Sequence, residues 1–442
     1  MREVFEKTEE FKDSPVGRIP KDWEVSSLAG ITQYITYGFT NPMPTTKDGP
    51  WMITALDIAN GIIHYQQARH TSEKAYKNGL TQKSKPQIGD ILITKDGTLG
   101  RIAVVDRTDI CINQSVACLR PLPDTDIKFL VHYLSSGQGQ DQMLADAGGS
   151  TIKHLYITKI AKMEVPVPPT EERRKIVKIL DTVDDAIART SSLIIKLKQT
   201  KAGLLQDLLT RGLDDDGKLR DPQAHPEQFK DSLLGRIPKD WEIRLLSTVA
   251  EVNSGVTLGR NISGVGTIEL PYLRVANVQD GYLELTDIKT IRVYKEEVTR
   301  FLLQPGDVLM NEGGDYDKLG RGTVWNGQIV PCLHQNHVFR VRPNGDYLIS
   351  EFLALISGST YGKRFFILSS KQSTNLASIN STQLKSFPIP CPTILEQQRI
   401  LSVFKLNETR IRAEEAYLNK LKLQKQGLMQ DLLTGKVRVK NL

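Results

Sequence analysis

The chain has 442 residues, 39% apolar and 25% charged, with a net charge of +7. That length exceeds one ordinary hydrophobic core and predicts two domains or more, while the basic balance leans toward a polyanionic partner such as DNA or RNA. No run of 18 or more apolar residues occurs, which excludes a transmembrane helix and leaves no membrane partner to expect.

The first seventeen residues, MREVFEKTEEFKDSPVG, are charged and carry no apolar stretch of the secretory kind. The expected location is therefore cytoplasmic. Cys111, Cys118, Cys332 and Cys391 show no CxxC spacing, so they read as reduced apolar fillers rather than disulfides or zinc ligands.

An opening motif comes first, FKDSPVGRIPKDWEV at Phe11–Val25, and it returns as FKDSLLGRIPKDWEI at Phe229–Ile243, with 12 of 15 positions identical. A mixed segment of roughly 140 residues, the size of one domain, follows each copy. In the first, PQIGDILIT reads as a turn and a buried strand, with RIAVVD as its hairpin partner; QPGDVLMN and RGTVWN take those places in the second. The connecting loops differ, TKDGTLG against the longer NEGGDYDKLG. Gln114 aligns with Gln335, Arg120-Pro121 with Arg342-Pro343, and Ser150-Thr151 with Ser373-Thr374. Helical pieces are expected near Phe129–Leu144 and Tyr347–Phe366. A proline gate closes each segment, Val165-Pro166-Val167-Pro168 and Ile389-Pro390-Cys391-Pro392, because proline cannot donate to a helix ladder.

Behind each gate a long helix is predicted. Apolar residues fall on a 4-3 spacing at Ile176, Leu180, Val183, Ile187, Ile194, Leu197, Leu204 and Leu208, interrupted by Thr190 and Lys201. The second series is Ile400, Phe404, Ile411, Leu418, Leu421, Leu428 and Leu432, interrupted by Asn407, Glu414 and Lys425. Sustained heptads predict a coiled-coil seam, and the simplest pairing is antiparallel. Lys201 and Lys425 occupy equivalent places and are expected where the seam opens. GLLQDLLT at Gly203–Thr210 and GLMQDLLT at Gly427–Thr434 end the two helices. A polar linker, residues 212–228, follows the first helix only. The chain therefore reads as a cut circle whose ends lie close together. The fold class is α+β with pseudo-twofold internal duplication.

Several catalytic readings fail on the residues. Neither GxGxxG in a strand–turn–helix frame nor GxxxxGK[ST] occurs, and Gly264-Val265-Gly266 reads as a turn. Asp90 with Lys95 faintly matches nuclease spacing, but Asp307 with Asn311-Glu312 does not repeat it, so a turn-forming Gly-Asp is the better reading. Cys332, His334 and His337 fall one ligand short of a closed zinc site, and the two histidines read as surface or strand residues. Asn41-Pro42-Met43-Pro44 lacks the aromatic of an amino-methyltransferase motif. No catalytic residue and no metal site is expected.

The order of opening motif, variable segment, gate and heptad helix, twice over, resembles the specificity subunit of type I restriction–modification systems. GRIPKDWE in both copies, GDILITKDGTLG, and the gate-plus-helix starts PVPPTEERRKIVKIL and PIPCPTILEQQRIL carry the resemblance. It implies two globular mixed α/β target-recognition domains, 1–169 and 229–392, joined by two long antiparallel coiled-coil helices at 170–211 and 393–442, with the linker at 212–228. It further implies a non-catalytic subunit that reads a split site on double-stranded DNA and docks two methyltransferase subunits and restriction subunits. S-adenosylmethionine, ATP and Mg are expected on those partners, with no cofactor on this chain.

Base edges are read chiefly by Arg, Lys, Asn and Gln, while Lys, Arg, Ser and Thr grip the backbone. DNA-binding candidates are Lys95, Thr98, Arg101 and Lys153 in the first domain. Arg274, Asp315, Tyr316, Lys318, Arg321 and Lys371 are the candidates in the second. The equivalence of Arg101 and Arg321 points to phosphate contact or structure rather than base choice. Two other readings fit the same residues: a methylation-only or other defence complex, and a coiled-coil adaptor without DNA binding.

Overall fold

Four short strands rich in β-branched residues build the first sheet, in a computed structural model that describes residues 6–7, 10–145, 154–232, 235–314, 319–320, 322–372 and 377–439. They are β1 (Thr32–Tyr37), β2 (Ile91–Thr94), β3 (Ile102–Val104) and β4 (Val116–Pro121), antiparallel throughout in the order β3-β2-β4-β1. Side chains alternate along a strand, and β2 uses both faces. Ile91 and Ile93 join Ala117 and Leu119 in one core, whereas Leu92 joins Val116 and Cys118 in another. The first core is closed by α1 (Ile127–Ser135) and by part of α2 (Thr170–Thr210).

The second half repeats the plan with β5 (Ala250–Ser254), β6 (Val308–Asn311), β7 (Gly322–Val324) and β8 (Val338–Pro343), in the equivalent order β5-β8-β6-β7. Its helices are α3 (Ser350–Gly358) and α4 (Ile394–Leu432). Each expected helical piece is in fact two helices, the second being Gly137–Ala145 or Thr360–Ser369. The break has one cause in both halves. Ser136 Oγ accepts from Gly139 N at 3.1 Å, and Ser359 Oγ accepts from Gly362 N at 3.2 Å. The new turn folds back so tightly that a Cβ at Gly139 or Gly362 would lie 2.2 or 2.5 Å from a carbonyl oxygen of the preceding helix.

A smaller three-stranded sheet lies beside each main one. It pairs Ile110–Ile112 with Thr46–Ile53 in parallel, and likewise Leu333–His334 with Thr267–Leu273. This pairing corrects one alignment. Asn113 N donates to Ile53 O and Gln335 N to Leu273 O, so Gln335 corresponds to Asn113, and Gln114 corresponds to Asn336. The amide pair in the sequence was one residue out of register because matching by identity favoured Gln over Gln. The proline gates are strands, Glu164–Val167 and Pro388–Cys391, each paired with the end of its opening motif. Two-stranded ribbons tolerate proline because one side of the strand carries no ladder.

The chain divides into two units, Met1–Ser192 with Glu415–Leu442, and Leu193–Glu414. Each long helix therefore contributes one half to each unit. In the first unit Ile176, Val177 and Leu180 share a core with Met429, Leu432 and Leu433, which is antiparallel packing. In the second, Leu208 and Leu209 share a core with Ile400, Leu401 and Phe404. Every seam position named from the heptads is buried or half-buried. Lys201 and Lys425 do not mark an opening. Lys425 Nζ lies 2.6 Å from Asp184, and Lys201 Nζ lies 2.7 Å from Glu408 and over the Phe404 ring. A lysine is tolerated at the seam because its stem packs while its head finds a carboxylate on the facing helix.

The ends of the first unit meet, as the cut-circle reading expects. Glu6–Lys7 pairs antiparallel with Val437–Arg438.

Candidate DNA interface and the polar corners that hold it

The first candidate loop leaves the end of β2. Thr94 Oγ1 donates to Thr98 O and accepts from Arg101 N at 3.0 Å, and Gly100 N donates to Thr94 O at 2.9 Å. The loop closes on itself through Gly97 and Gly100, both with positive φ, where L side chains are strained. Thr98 is exposed at its tip. Lys95 lies 3.0 Å from Asp96 and over the Tyr37 ring at 5.5 Å. Asp96 also accepts from His154 Nδ1 at 2.6 Å. Burial works against ionisation of Asp96, but the hydrogen bonds from His154 and Lys95 outweigh it and hold the carboxyl below its ordinary range. Arg101 Nη1 donates to Ile58 O at 3.1 Å, so this arginine ties the loop to the hairpin Ile58–Ile63. Lys153 lies outside the described residues.

In the second unit Asp315, Tyr316, Lys318 and Arg321 lie outside the described residues. Lys371 is exposed on a short strand that pairs with Ala377–Ser378, which in turn pairs with Gly313–Gly314 at the root of the loop. The fold thus brings Lys371 to the loop it was grouped with. Arg274 is committed elsewhere, donating to Asp287 Oδ2 at 2.9 Å and to its carbonyl at 3.0 Å. Hydrogen bonds from Arg274 and Lys289 hold the Asp287 carboxyl below its usual range.

The Gly-Asp turns are supports. Asp90 and Asp307, both buried, cap their own turns by accepting from Gln87 N and Gln304 N. Each takes a bidentate arginine from the neighbouring strand, Arg120 at 2.6 and 2.8 Å and Arg342 at 2.7 and 2.9 Å. Buried carboxylates with every oxygen engaged are structural anchors. His334 sits inside its strand with Nδ1 2.7 Å from Val338 O, and burial pulls its pKa down to about 4. Burial also pushes the Cys332 thiol up to about 12. His337 instead pairs with Glu312 beside the loop.

Sequence reasoning missed one buried polar corner in each unit. Trp23 Nε1 donates to Glu172 at 3.1 Å, and Glu172 takes Arg438 at 2.7 Å on both oxygens. Arg438 also grips Asp22 at 2.8 and 2.9 Å. The second unit has Trp241 on Glu396 at 3.0 Å, with Arg220 on Glu396 at 2.6 Å and on Asp240 at 3.2 Å. Glycine lets the chain cross each indole: a Cβ at Gly435 would lie 3.2 Å from Trp23, and one at Gly212 would lie 2.5 Å from Trp241. Burial opposes ionisation of Glu172, and the bonds from Arg438 and Trp23 overcome it. The signal was present as Gly217-Lys218-Leu219-Arg220 against Gly435-Lys436-Val437-Arg438, masked by the loop inserted ahead of the first copy.

Two further hairpins were also unread. Ala59-Asn60-Gly61-Ile62 and Gln279-Asp280-Gly281-Tyr282 are tight turns of the Asn-Gly and Asp-Gly kind, with positive φ at Asn60, Gly61 and Gly281.

Scaffolds that match strand for strand and loops that differ are what a pair of readers of unlike sequences requires. Comparison with known proteins agrees. The family described as the type I restriction modification DNA specificity domain matches residues 20–199 and 238–423. The type I restriction enzyme MjaVIII specificity subunit of Methanocaldococcus jannaschii is 24% identical, covering 99% of this chain and 98% of its own. The EcoKI specificity subunit of Escherichia coli K12 is 23% identical, over 87% and 82%. Among solved structures, an HsdS subunit from Thermoanaerobacter tengcongensis shares the fold with a TM-score of 0.50 at 17% identity, over 96% of this chain and 99% of its own. A chain from a study of complex assembly in the type I R-M system does so with a TM-score of 0.57 at 18% identity, over 95% and 99%. With two copies of that domain spanning most of its length, the chain belongs to the type I restriction–modification DNA specificity family.

Proposed function

We propose that this chain is the non-catalytic reader of a split DNA target, each unit reading one half, in a complex with two methyltransferase subunits and with restriction subunits. Domain boundaries follow as proposed from the repeat: recognition domains at 1–169 and 229–392, with spacer helices between them. S-adenosylmethionine, ATP and Mg belong to the partners in this account. One observation carries it. The two main sheets share strand order and supports, including the Asp90–Arg120 and Asp307–Arg342 anchors, yet the loops leaving β2 and β6 differ in length and charge. A rigid scaffold with divergent loops is how one fold reads two sequences.

Continuous helices of 41 and 39 residues carry the seam.

The test is a domain exchange. Residues 26–165 are replaced by the matching segment of another family member, and methylated sites are sequenced in cells supplying the methyltransferase subunit. One half of the motif changes and the other stays. Change in both halves defeats the two-reader account.

A further inference from the structure

Beside the candidate loop of each unit stands one half-exposed histidine held by one carboxylate. In the first unit the pair is Asp96 and His154, 2.6 Å apart, with the imidazole 43% exposed. In the second it is Glu312 and His337, with the imidazole 55% exposed. The carboxylates come from adjacent positions at the same strand end, Asp96 two residues past β2 and Glu312 one residue past β6.

The histidines do not. Each strand end is flanked by the same two segments. One is the turn before β4 or β8, where Lys95 N donates to Ser115 O at 2.8 Å and Glu312 N to His337 O at 3.0 Å. The other precedes the gate, where Leu155 N donates to Lys95 O at 2.9 Å and Ile379 N to Glu312 O at 2.8 Å. His154 arrives on the second flank, where the other unit has Ser378; His337 arrives on the first, where the other unit has Ser115. Shared residues at equivalent positions of a duplicated chain report common origin. The same pair assembled from different positions, at the same corner, reports a chemical demand at that corner.

Resting on the DNA-reading function, we propose that these two histidine–carboxylate pairs are backbone clamps, one per half-site, that each grip a DNA phosphate. Both units carry the same chemistry although they read different sequences, which fits a contact to the invariant backbone rather than to a base edge. The geometry suits it. Nδ1 of each ring is taken by its carboxylate, so the ring offers Nε2 outward. Among the described residues His154 Nε2 makes no hydrogen bond, and His337 Nε2 has only Asn336 at 3.4 Å. As an imidazolium the ring donates Nε2–H to a phosphate oxygen, with the carboxylate behind it. The charged groups facing His154 are Asp96 and, through Asp96, Lys95; Glu312 faces His337.

The experiment uses the chain assembled with its methyltransferase subunits and a duplex carrying the methylated motif. His154→Gln, His337→Gln and the double variant are titrated at several salt concentrations. Each single variant lowers affinity about fivefold and reduces the slope of log affinity against log salt by about 0.9, the double by about twice that. The methylated motif is unchanged. His154→Lys and His337→Lys, which keep a cation at the corner, restore the slope. Unchanged affinity and slope overturn the proposal, as does an altered base preference in either half-site. If the unsubstituted complex shows no salt-dependent binding to any duplex, the DNA-reading function itself falls, a distinct outcome.

Discussion

Replacing Arg438 by Met removes the cation from the corner of the first unit. Arg438 and Glu172 have side chains only 6% and 4% exposed, so the loss strands a carboxylate in a site built for an ion pair. Breaking a buried pair from one side costs about 3–5 kcal/mol. Asp22, 44% exposed, adds little, because solvent screens it. Trp23 Nε1 and Val439 N still donate to Glu172, which places the expected loss nearer about 3 kcal/mol, by the same comparison. Neutralising the stranded group with Glu172→Gln in the same chain recovers most of it. The sign of the pH dependence separates this cause from lost packing. In the unsubstituted chain the Glu172 carboxyl is held below its ordinary value of 4.5, so its contribution is full above that value and fades as pH falls through the folded value. In Arg438→Met the carboxyl is buried without its cation and its pKa rises, so the variant's deficit shrinks as pH falls from 7 toward 5. Urea denaturation with hydrogen exchange reads both effects. Amides of residues 20–30 and 430–439 lose protection while residues 236–250 keep theirs. A loss below about 1 kcal/mol, within the range of an ordinary surface pair, would refute the reasoning.

Three other outcomes follow from the fold. Lys201→Glu weakens the seam of the second unit by about 1 kcal/mol through repulsion with Glu408, and Glu408→Lys in the same chain restores the urea midpoint. Gly38→Ala and Gly255→Ala each place a Cβ within 1.7 and 1.9 Å of the Ile112 and His334 carbonyl oxygens; both lose more than about 3 kcal/mol, whereas Gly97→Ala, at an open position with positive φ, loses about 1 kcal/mol, as thermal unfolding will show. A permuted chain in which residue 442 is joined to residue 1 by a short linker and the chain is opened between Ala224 and His225 keeps its methylation motif, because Glu6–Lys7 already pairs with Val437–Arg438. Loss of the motif in a folded permutant contradicts that pairing.

The local patterns were legible because each was written in a run of neighbouring residues. Heptads announced the seam, and Gly-Asp before a β-branched run announced β2 and β6. Contacts across long chain distances were not. Glu172 looks like any acidic residue in a first helical turn until Arg438 arrives 266 positions later. Its counterpart Glu396 is met by Arg220, on a loop that breaks the repeat, so comparing the halves hid the correspondence. Gly38 and Gly255 show no turn signal, since what they admit is the backbone of a distant strand. The Asn113–Gln335 register was lost because residue identity is a poorer guide than ladder hydrogen bonds. Of the ten candidate DNA contacts, Arg101 and Arg274 are engaged within their own domains, Lys95 is paired with Asp96, and Thr98 and Lys371 stand exposed at the loops. Lone positive residues in a sequence cannot reveal which carboxylate they will meet.

The central claim is that this chain chooses where a partner methyltransferase acts. Single-molecule methylome sequencing of cells expressing the chain with its methyltransferase subunit, beside cells lacking only the chain, tests it directly. The account predicts N6-methyladenine at a split motif, two short halves around a fixed gap, present only with the chain. An identical methylation pattern in both, from a methyltransferase shown to be active, would contradict it.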